Sequence, residues 1–376
     1  MKKILIITLS LSEKNGLGRE SRELVKKLCQ RYQLIIFSGK EDDNFKELPN
    51  CRIFRILPGL FKFFKLKNPF LLLFYSWSIF WKSRGVDFVH SIMDYPYSDL
   101  AALVALLLRK PLFLTVNGTY SLEPFNLWPH KYFHKFALRR AQKIICISRF
   151  TEKELKKRIN LSNTMVINCG VDFKRFTELA PFSLPEKPEK EKIIISTGKL
   201  KARKGYHISI PAIGRVKKKY PQIKYYIVGD QSDKRYFNQL KDLIEKHGLE
   251  ESVVFLEGIS DKELIELYYS ADLFVLTPIN IKNNFEGFGQ VYLEASACGK
   301  PAIGTYACGV EDAVVDGITG LLVPQNDIEK TAEAILKLLD NPELARKLGE
   351  NGKKRAQEMD WSNVAKKYIE VYEDNL

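Results

Sequence analysis

No CxxC pair occurs anywhere in the 376 residues: the six cysteines, Cys29, Cys51, Cys146, Cys169, Cys298 and Cys308, lie far apart. That spacing excludes a zinc ribbon or a disulfide framework and points to reduced, mostly buried thiols. Long apolar runs are missing as well. The longest, Phe70 to Trp81, is about a dozen residues with two serines, whereas a membrane-spanning helix needs roughly 20. Histidine is scarce, with five in the chain, and no Asp-X-Asp string occurs, so no metal site is expected. The opening MKKILIITLS has the start of a secretory leader but runs into Glu13, Lys14 and Asn15 without a small-residue cleavage site. Lys3–Thr8 is therefore expected to be a buried strand and the protein cytoplasmic. Gly 22 and Pro 16 are near average, which excludes a collagen-like or low-complexity chain.

What is present is ordinary globular composition, 45% hydrophobic and 28% charged, in a length that suits two domains. The net charge of +14 is unevenly spread. Residues 1–190 carry 33 Lys+Arg against 17 Asp+Glu, a net of +16, and the remainder carries 26 against 28. The first half is thus the part expected to meet an anionic partner. Nucleic acid fits poorly, because no groove-reading or base-stacking motif accompanies the charge.

Short apolar runs alternate with helical spacing in both halves. In the first half the strands are Lys3–Thr8, Gln33–Ser38, Arg52–Leu57, Asp87–His90, Leu112–Val116 and Lys143–Ile147, with helices over 19–30, 98–109 and 151–159. The stretch 179–191, LAPFSLPEKPEKE, holds three prolines among charges and reads as a linker. Strands resume at Lys192–Thr197, Tyr225–Val228, Val253–Leu256, Leu273–Leu276 and Pro301–Gly304, separated by helices at about 205–219, 233–247, 261–270 and 289–298. Strand–helix alternation of this kind predicts an α/β protein of two doubly wound, parallel-sheet, Rossmann-like domains facing a cleft. The expected bounds are 1–180 for the first domain and 190–359 for the second. An amphipathic helix over 360–376 is expected to cross back to the first.

The most specific segment is Glu286-Gly-Phe-Gly-Gln-Val-Tyr-Leu-Glu294, followed by Ala-Ser-Ala-Cys-Gly299-Lys-Pro301. Gly287 and Gly289 open a turn with unobstructed amides, and Gln290 to Cys298 form a helix stopped by Gly299 and Pro301. A helix N-terminus beside two glycines is an anion site. Glu286 precedes it and Glu294 lies more than a turn inside. Carboxylates are poor phosphate ligands but good acceptors from sugar hydroxyls. A phosphate cradle flanked by two of them suits a sugar at each end of a diphosphate.

EGFGxxxxEAxACGKP resembles the signature of the family 4 retaining glycosyltransferases, which have the two-domain GT-B fold, and the resemblance covers nearly the whole chain. Gly198-Lys-Leu-Lys-Ala-Arg-Lys204-Gly205 is similar to that family's GRLxxxKG, and Tyr226-Ile-Val-Gly-Asp230 to its LVIVGDG strand. Val254-Phe-Leu-Glu-Gly258, Asp316-Gly-Ile-Thr-Gly-Leu-Leu-Val323 and Val166-Ile-Asn-Cys-Gly-Val-Asp172 with Arg175-Phe176 follow in like manner. The resemblance implies that Glu286 holds hydroxyls of the transferred sugar and Glu294 the nucleotide ribose. It also implies that Lys199 and Lys204 clamp the diphosphate, stabilising charge that grows as the glycosidic bond breaks. Donor contacts are further implied at Gly16 and Gly18 of the Asn15-Gly-Leu-Gly-Arg19 loop, at Gly198, at Leu256 and Ile259 beside the base, and along Gly287, Phe288, Gly289, Gln290 and Val291.

Two departures stand out. Asn117 occupies a position where the family often has His, so it can contact the donor sugar but cannot take up a proton to become a cation. Lys199 stands where Arg is usual, keeping the charge without the bidentate fork.

The resulting expectation is a retaining, metal-independent hexosyltransferase without cofactor. It would move a sugar of the mannose or glucose type from a UDP- or GDP-linked donor to a hydroxyl of a glycan or lipid-linked precursor. Attack is expected on the face the leaving diphosphate departs from, with a phosphate oxygen helping to take the acceptor's proton. The alternatives are a nucleotide-sugar epimerase or phosphorylase and a catalytically silent nucleotide-sugar-binding protein of the same fold. A nicotinamide oxidoreductase is disfavoured because the glycine loop lacks its third glycine. Finally, Gly59-Leu-Phe-Lys-Phe-Phe-Lys-Leu-Lys-Asn68 interleaves aromatics with Lys62, Lys65 and Lys67, a composition suited to peripheral contact with an anionic membrane on its inner face or to packing on the first domain with the lysines in water.

Overall fold

Parallel strands buried on both faces read as near-continuous Val/Ile/Leu runs, and Lys3-Ile-Leu-Ile-Ile7 and Lys192-Ile-Ile-Ile-Ser-Thr197 seed one sheet each. A computed structural model describes residues 1–13, 16–40, 45, 48–59, 70–180, 188 and 190–376. The chain divides into two units, one of residues 1–169 and 361–376, the other of residues 170–360.

The first unit holds seven strands: β1 (Lys3–Ile7), β2 (Gln33–Gly39), β3 (Cys51–Leu57), β4 (Phe88–Ser91), β5 (Leu112–Val116), β6 (Lys143–Cys146) and β7 (Thr164–Val166). All pair in parallel in the order β3-β2-β1-β4-β5-β6-β7. The second unit holds β8 (Lys192–Thr197), β9 (Ile223–Val228), β10 (Val253–Leu256), β11 (Leu273–Val275), β12 (Ala302–Thr305) and β13 (Gly320–Val323). Their order is β10-β9-β8-β11-β12-β13, again all parallel. In each sheet the winding reverses beside the first strand, between β1 and β4 and between β8 and β11. Ligands of such sheets bind past the carboxyl ends at that reversal.

The closing helix Trp361–Glu373 belongs to the first unit. It buries Trp361, Val364, Ala365, Tyr368 and Tyr372 in one core with Ile4 and Ile6 of β1, Leu24 and Leu28 of the Gly16–Leu28 helix, and Phe88 of β4. Each of the larger aliphatic and aromatic side chains contributes about 1.5–3 kcal/mol of burial. A polar tie accompanies them: His90 shares hydrogen bonds with the Tyr372 hydroxyl through Nδ1 (2.7 Å) and with Thr115 through Nε2 (2.9 Å). Burial pushes the His90 pKa down to about 3.

Residues 170–180 sit with the second unit instead of the first. The Val171 amide donates to the Met359 carbonyl (3.0 Å), the Phe173 amide to Asp360 (3.3 Å) and the Tyr269 hydroxyl to the Phe176 carbonyl (3.1 Å). Most of the proline-rich linker, and residues 60–68 of the basic segment, lie outside the described residues. None of the six cysteines forms a disulfide, and five are buried. Among the described residues no helix is long and apolar enough to cross a membrane.

Candidate functional site

The reversal in the second unit is built by two loops that touch through a glycine. After β8 the chain turns at Gly198 (φ +140°), makes a short turn over Ala202–Lys204 and enters the Tyr206–Lys217 helix through Gly205 (φ +73°). A Cβ on Gly205 would stand 1.7 Å from the carbonyl oxygen of Thr277, just past β11. The positive φ and this approach together require glycine. The contact is reinforced by the Thr277 hydroxyl donating to the Gly205 carbonyl (2.9 Å) and the Ile279 amide donating to the Arg203 carbonyl (2.8 Å).

This junction brings Lys204 and Arg203 onto Glu286. Lys204 Nζ and Arg203 Nη1 each lie 2.7 Å from Glu286 Oε2. Glu286 is 8% exposed. Burial pushes its carboxyl upward, but Lys204 and Arg203 outweigh that and hold it at about 2. It is therefore an ionised carboxylate at neutral pH, opposed by two cations. Its backbone is fixed from the β12 side, where the Gly309 amide donates to the Glu286 carbonyl (2.8 Å) and a Cβ on Gly309 would meet the Gly287 oxygen at 1.9 Å.

Gly289 (φ +88°) caps the Gln290–Ala297 helix and, having no side chain, makes no side-chain cap hydrogen bond to its first amides. Phe288 is buried, Gln290 and Val291 are half-buried, and the Gln290 side chain donates to the Gly170 carbonyl (3.2 Å). One turn in, Glu294 accepts from the Tyr268 hydroxyl (3.1 Å), which is itself 2.8 Å from Thr197 Oγ1 at the end of β8. Leu256 and Ile259, half-buried, end β10 and begin the loop beyond it. Lys199 is differently engaged. Its Nζ lies 2.6 Å from Asp230 Oδ2 in an exposed pair, and that contact, with bonds from Ser232, holds Asp230 at about 2.

In the first unit, Gly16 is exposed at the start of its helix. Gly18 lies in the first turn, where a Cβ would stand 2.3 Å from the Ser12 carbonyl oxygen. The chain's own backbone thus dictates glycine at position 18. Asn117 follows β5: its amide donates to Asp94 Oδ1 (2.9 Å) and its Nδ2 to the Ile92 carbonyl (3.1 Å). Asn117 Oδ1 and Asp94 Oδ2 are buried without a hydrogen-bond partner. Burial pushes the Asp94 carboxyl up to about 7, against the bonds from Ser121 and Asn117.

The sequence reading assigned Glu286 and Lys204 to one site and gave Arg203 no role. It also missed Tyr268, for which no motif speaks, and Asp94, which the switch-point rule applied to β4 could have found. Among the described residues no group of three or more His, Cys, Asp or Glu side chains is placed to hold a metal.

Two parallel doubly wound sheets, each with its reversal beside the first strand, define a GT-B protein. The Glycosyltransferase Family 4 model matches residues 14–175 and the model for glycosyl transferases group 1 matches residues 182–355. An uncharacterized glycosyltransferase of Methanocaldococcus jannaschii is 26% identical over 379 residues, covering 99% of this chain and 98% of that one. D-inositol 3-phosphate glycosyltransferase of Corynebacterium urealyticum is 31% identical over 218 residues, 55% of this chain and 50% of that protein. The crystal structure of Anabaena HepE in complex with UDP and glucose superposes with a TM-score of 0.78 at 21% identity, covering 100% of both chains. The chain belongs to the GT-B glycosyltransferases of the family 4 type.

Proposed function

We propose that the protein transfers a hexose from a nucleotide diphosphate sugar to an acceptor hydroxyl with retention of configuration. The observation that carries this reading is the buried Glu286 carboxylate held between Lys204 and Arg203 at the β8/β11 reversal. Lys204 and the amides at the head of the Gln290–Ala297 helix would meet the diphosphate, where developing negative charge is stabilised by fixed donors. Glu286 would accept from hydroxyls of the sugar, and Glu294, oriented by Tyr268, from the ribose. Leu256 and Ile259 would flank the base. Lys199 would exchange Asp230 for a phosphate oxygen when donor binds. In the first unit Asn117, with its unpartnered Oδ1, would present an acceptor atom to a sugar hydroxyl, and the loop at Gly16 and Gly18 would shape the acceptor side.

In the step itself the bond from the anomeric carbon to the diphosphate oxygen breaks and the bond to the acceptor oxygen forms on the same face. The acceptor's proton passes to the departing phosphate oxygen. Charge neutralisation by Lys204 makes that oxygen a stable leaving group without a metal ion.

Support for a nucleotide sugar donor comes from relatives whose names carry it, among them a GDP-mannose-dependent mannosyltransferase of Mycolicibacterium smegmatis, 30% identical over 236 residues. The test is a thermal-shift screen of UDP, GDP and ADP with their sugars, in chelator. One nucleotide diphosphate should stabilise the protein by about 2.7 kcal/mol at 100 times its dissociation constant. No shift with any of them would end the reading.

A further inference from the structure

The helices Phe70–Lys82, Tyr97–Leu108 and His130–Arg140 pack in sequence against one another in the first unit. The strand order reverses before they begin, so right-handed crossovers put them on the sheet face opposite the Gly16–Leu28 and Trp361–Glu373 helices. Their inner sides are buried, as Leu72 and Ile79, Leu100 and Val104, and His134 and Leu138 show. Their outer sides are not polar. Of seventeen large apolar side chains exposed among the described residues, eleven lie between Leu73 and Phe136. Three of the chain's four tryptophans are here, Trp77 at 56%, Trp81 at 53% and Trp128 at 78% exposure, whereas Trp361 is buried. An exposed apolar surface of this extent marks an interaction site.

The charge around it is predominantly positive. Residues 70–140 contain eight Lys/Arg against four Asp/Glu, and two of those four, Asp94 and Asp99, are buried. Cations and rings are neighbours: Arg84 lies 5.0 Å over Trp81 and Lys131 4.9 Å over Tyr132. We propose that this face of the first unit docks on an anionic lipid surface. Exposed Trp and Tyr with flanking Lys and Arg are the chemistry of the membrane interface, where rings sit at headgroup level and cations meet lipid phosphates. The 13-residue Phe70–Lys82 helix, apolar on both sides, is about 20 Å long. The hydrocarbon core is about 30 Å thick, so the helix lies in the interface and does not cross. A second copy of the chain is the poorer occupant, because an isologous contact would set this cationic face against itself.

The inference rests on residues 73–140, independently of the basic segment 59–68 and of the donor reading. The experiment is co-sedimentation of the full chain with vesicles of phosphatidylcholine, with and without phosphatidylglycerol, alongside tryptophan emission. Binding is expected to the phosphatidylglycerol vesicles alone, weakened by salt and accompanied by a blue shift of emission. Trp77→Ser/Trp128→Ser and Lys131→Glu/Lys135→Glu should each weaken binding about tenfold or more. Both should leave nucleotide-induced thermal shifts unchanged, which separates failure here from failure of the donor reading. No binding at low salt overturns the proposal. So does binding that both variants leave unchanged, or a lipid-indifferent dimer that the tryptophan variant dissolves.

Discussion

Replacing Glu286 with glutamine should destabilise the second unit, because it removes the charge but not the volume between Lys204 and Arg203. Lys204 is 11% exposed at its side chain and Arg203 31%, so neither cation can return fully to water. A carboxyl held at about 2 in place of 4.5 corresponds to roughly 3 kcal/mol in favour of the ionised form. Removing one member of a buried ion pair independently suggests about 3–5 kcal/mol. For a unit of this size each kcal/mol moves Tm by roughly 2–4 °C, so a fall of about 6–12 °C is expected at pH 7. The pKa is depressed, so the stabilisation is complete above about 4.5 and is lost as pH falls from there to about 2. Differential scanning calorimetry of both proteins from pH 7 to pH 3 reads this directly. The gap in Tm should be constant down to about pH 5 and shrink below it. A gap under 2 °C at pH 7, or one that widens on acidification, would refute the ion-pair reasoning.

Other residues give separate expectations. Lys204→Ala should lower kcat/KM by about 2–4 kcal/mol equivalent, as loss of one fixed charge-stabilising donor does, while exposed Lys201→Ala should leave it nearly unchanged; steady-state kinetics compares them. Gly205→Ala, with φ +73° and a Cβ at 1.7 Å from Thr277, should melt well below Gly248→Ala, where φ is +61° but nothing lies within 4 Å. The latter should cost only about 1–2 kcal/mol, the left-handed penalty alone. His90 is neutral in the folded state at about 3 against an ordinary 6.5, so the unfolded chain takes up a proton first on acidification. At pH 5 this costs about 2 kcal/mol, and His90→Asn should flatten the fall in Tm between pH 6.5 and 4.

Much of the fold was legible because parallel, doubly buried strands announce themselves as apolar runs. Lys3–Ile7 and Lys192–Thr197 are of this kind, and the winding follows from their alternation with helices. β7 (Thr-Met-Val) and β13 (Gly-Leu-Leu-Val) escaped notice because three or four residues hold no period. The Pro342–Glu358 helix escaped for a different reason. It packs through Leu348, Gly349, Gly352 and Ala356, and a Cβ on Gly349 would meet the Gly299 carbonyl at 2.1 Å, so close approach replaces a hydrophobic stripe. The Phe70–Trp81 run resisted assignment because it is apolar on every side, which periodicity cannot orient.

At the site, the spacing EGFGxxxxE located Glu286 and Glu294, and Lys204 followed from GKLKARKG. Pairing was not legible. Nothing in the string distinguishes Arg203, which reaches Glu286, from Lys199, which reaches Asp230. That choice is made by the Gly205–Thr277 contact between loops some 70 residues apart in sequence. Gly18 likewise owes its identity to Ser12, an approach only the folded chain reveals.

The most direct measurement is the turnover of Glu286→Ala at saturating donor, beside its affinity for the nucleotide diphosphate alone. A carboxylate that holds the reacting sugar predicts a collapse of kcat with the diphosphate still bound, since sugar contacts are lost and phosphate contacts kept. Wild-type turnover in Glu286→Ala would contradict the assignment of this site.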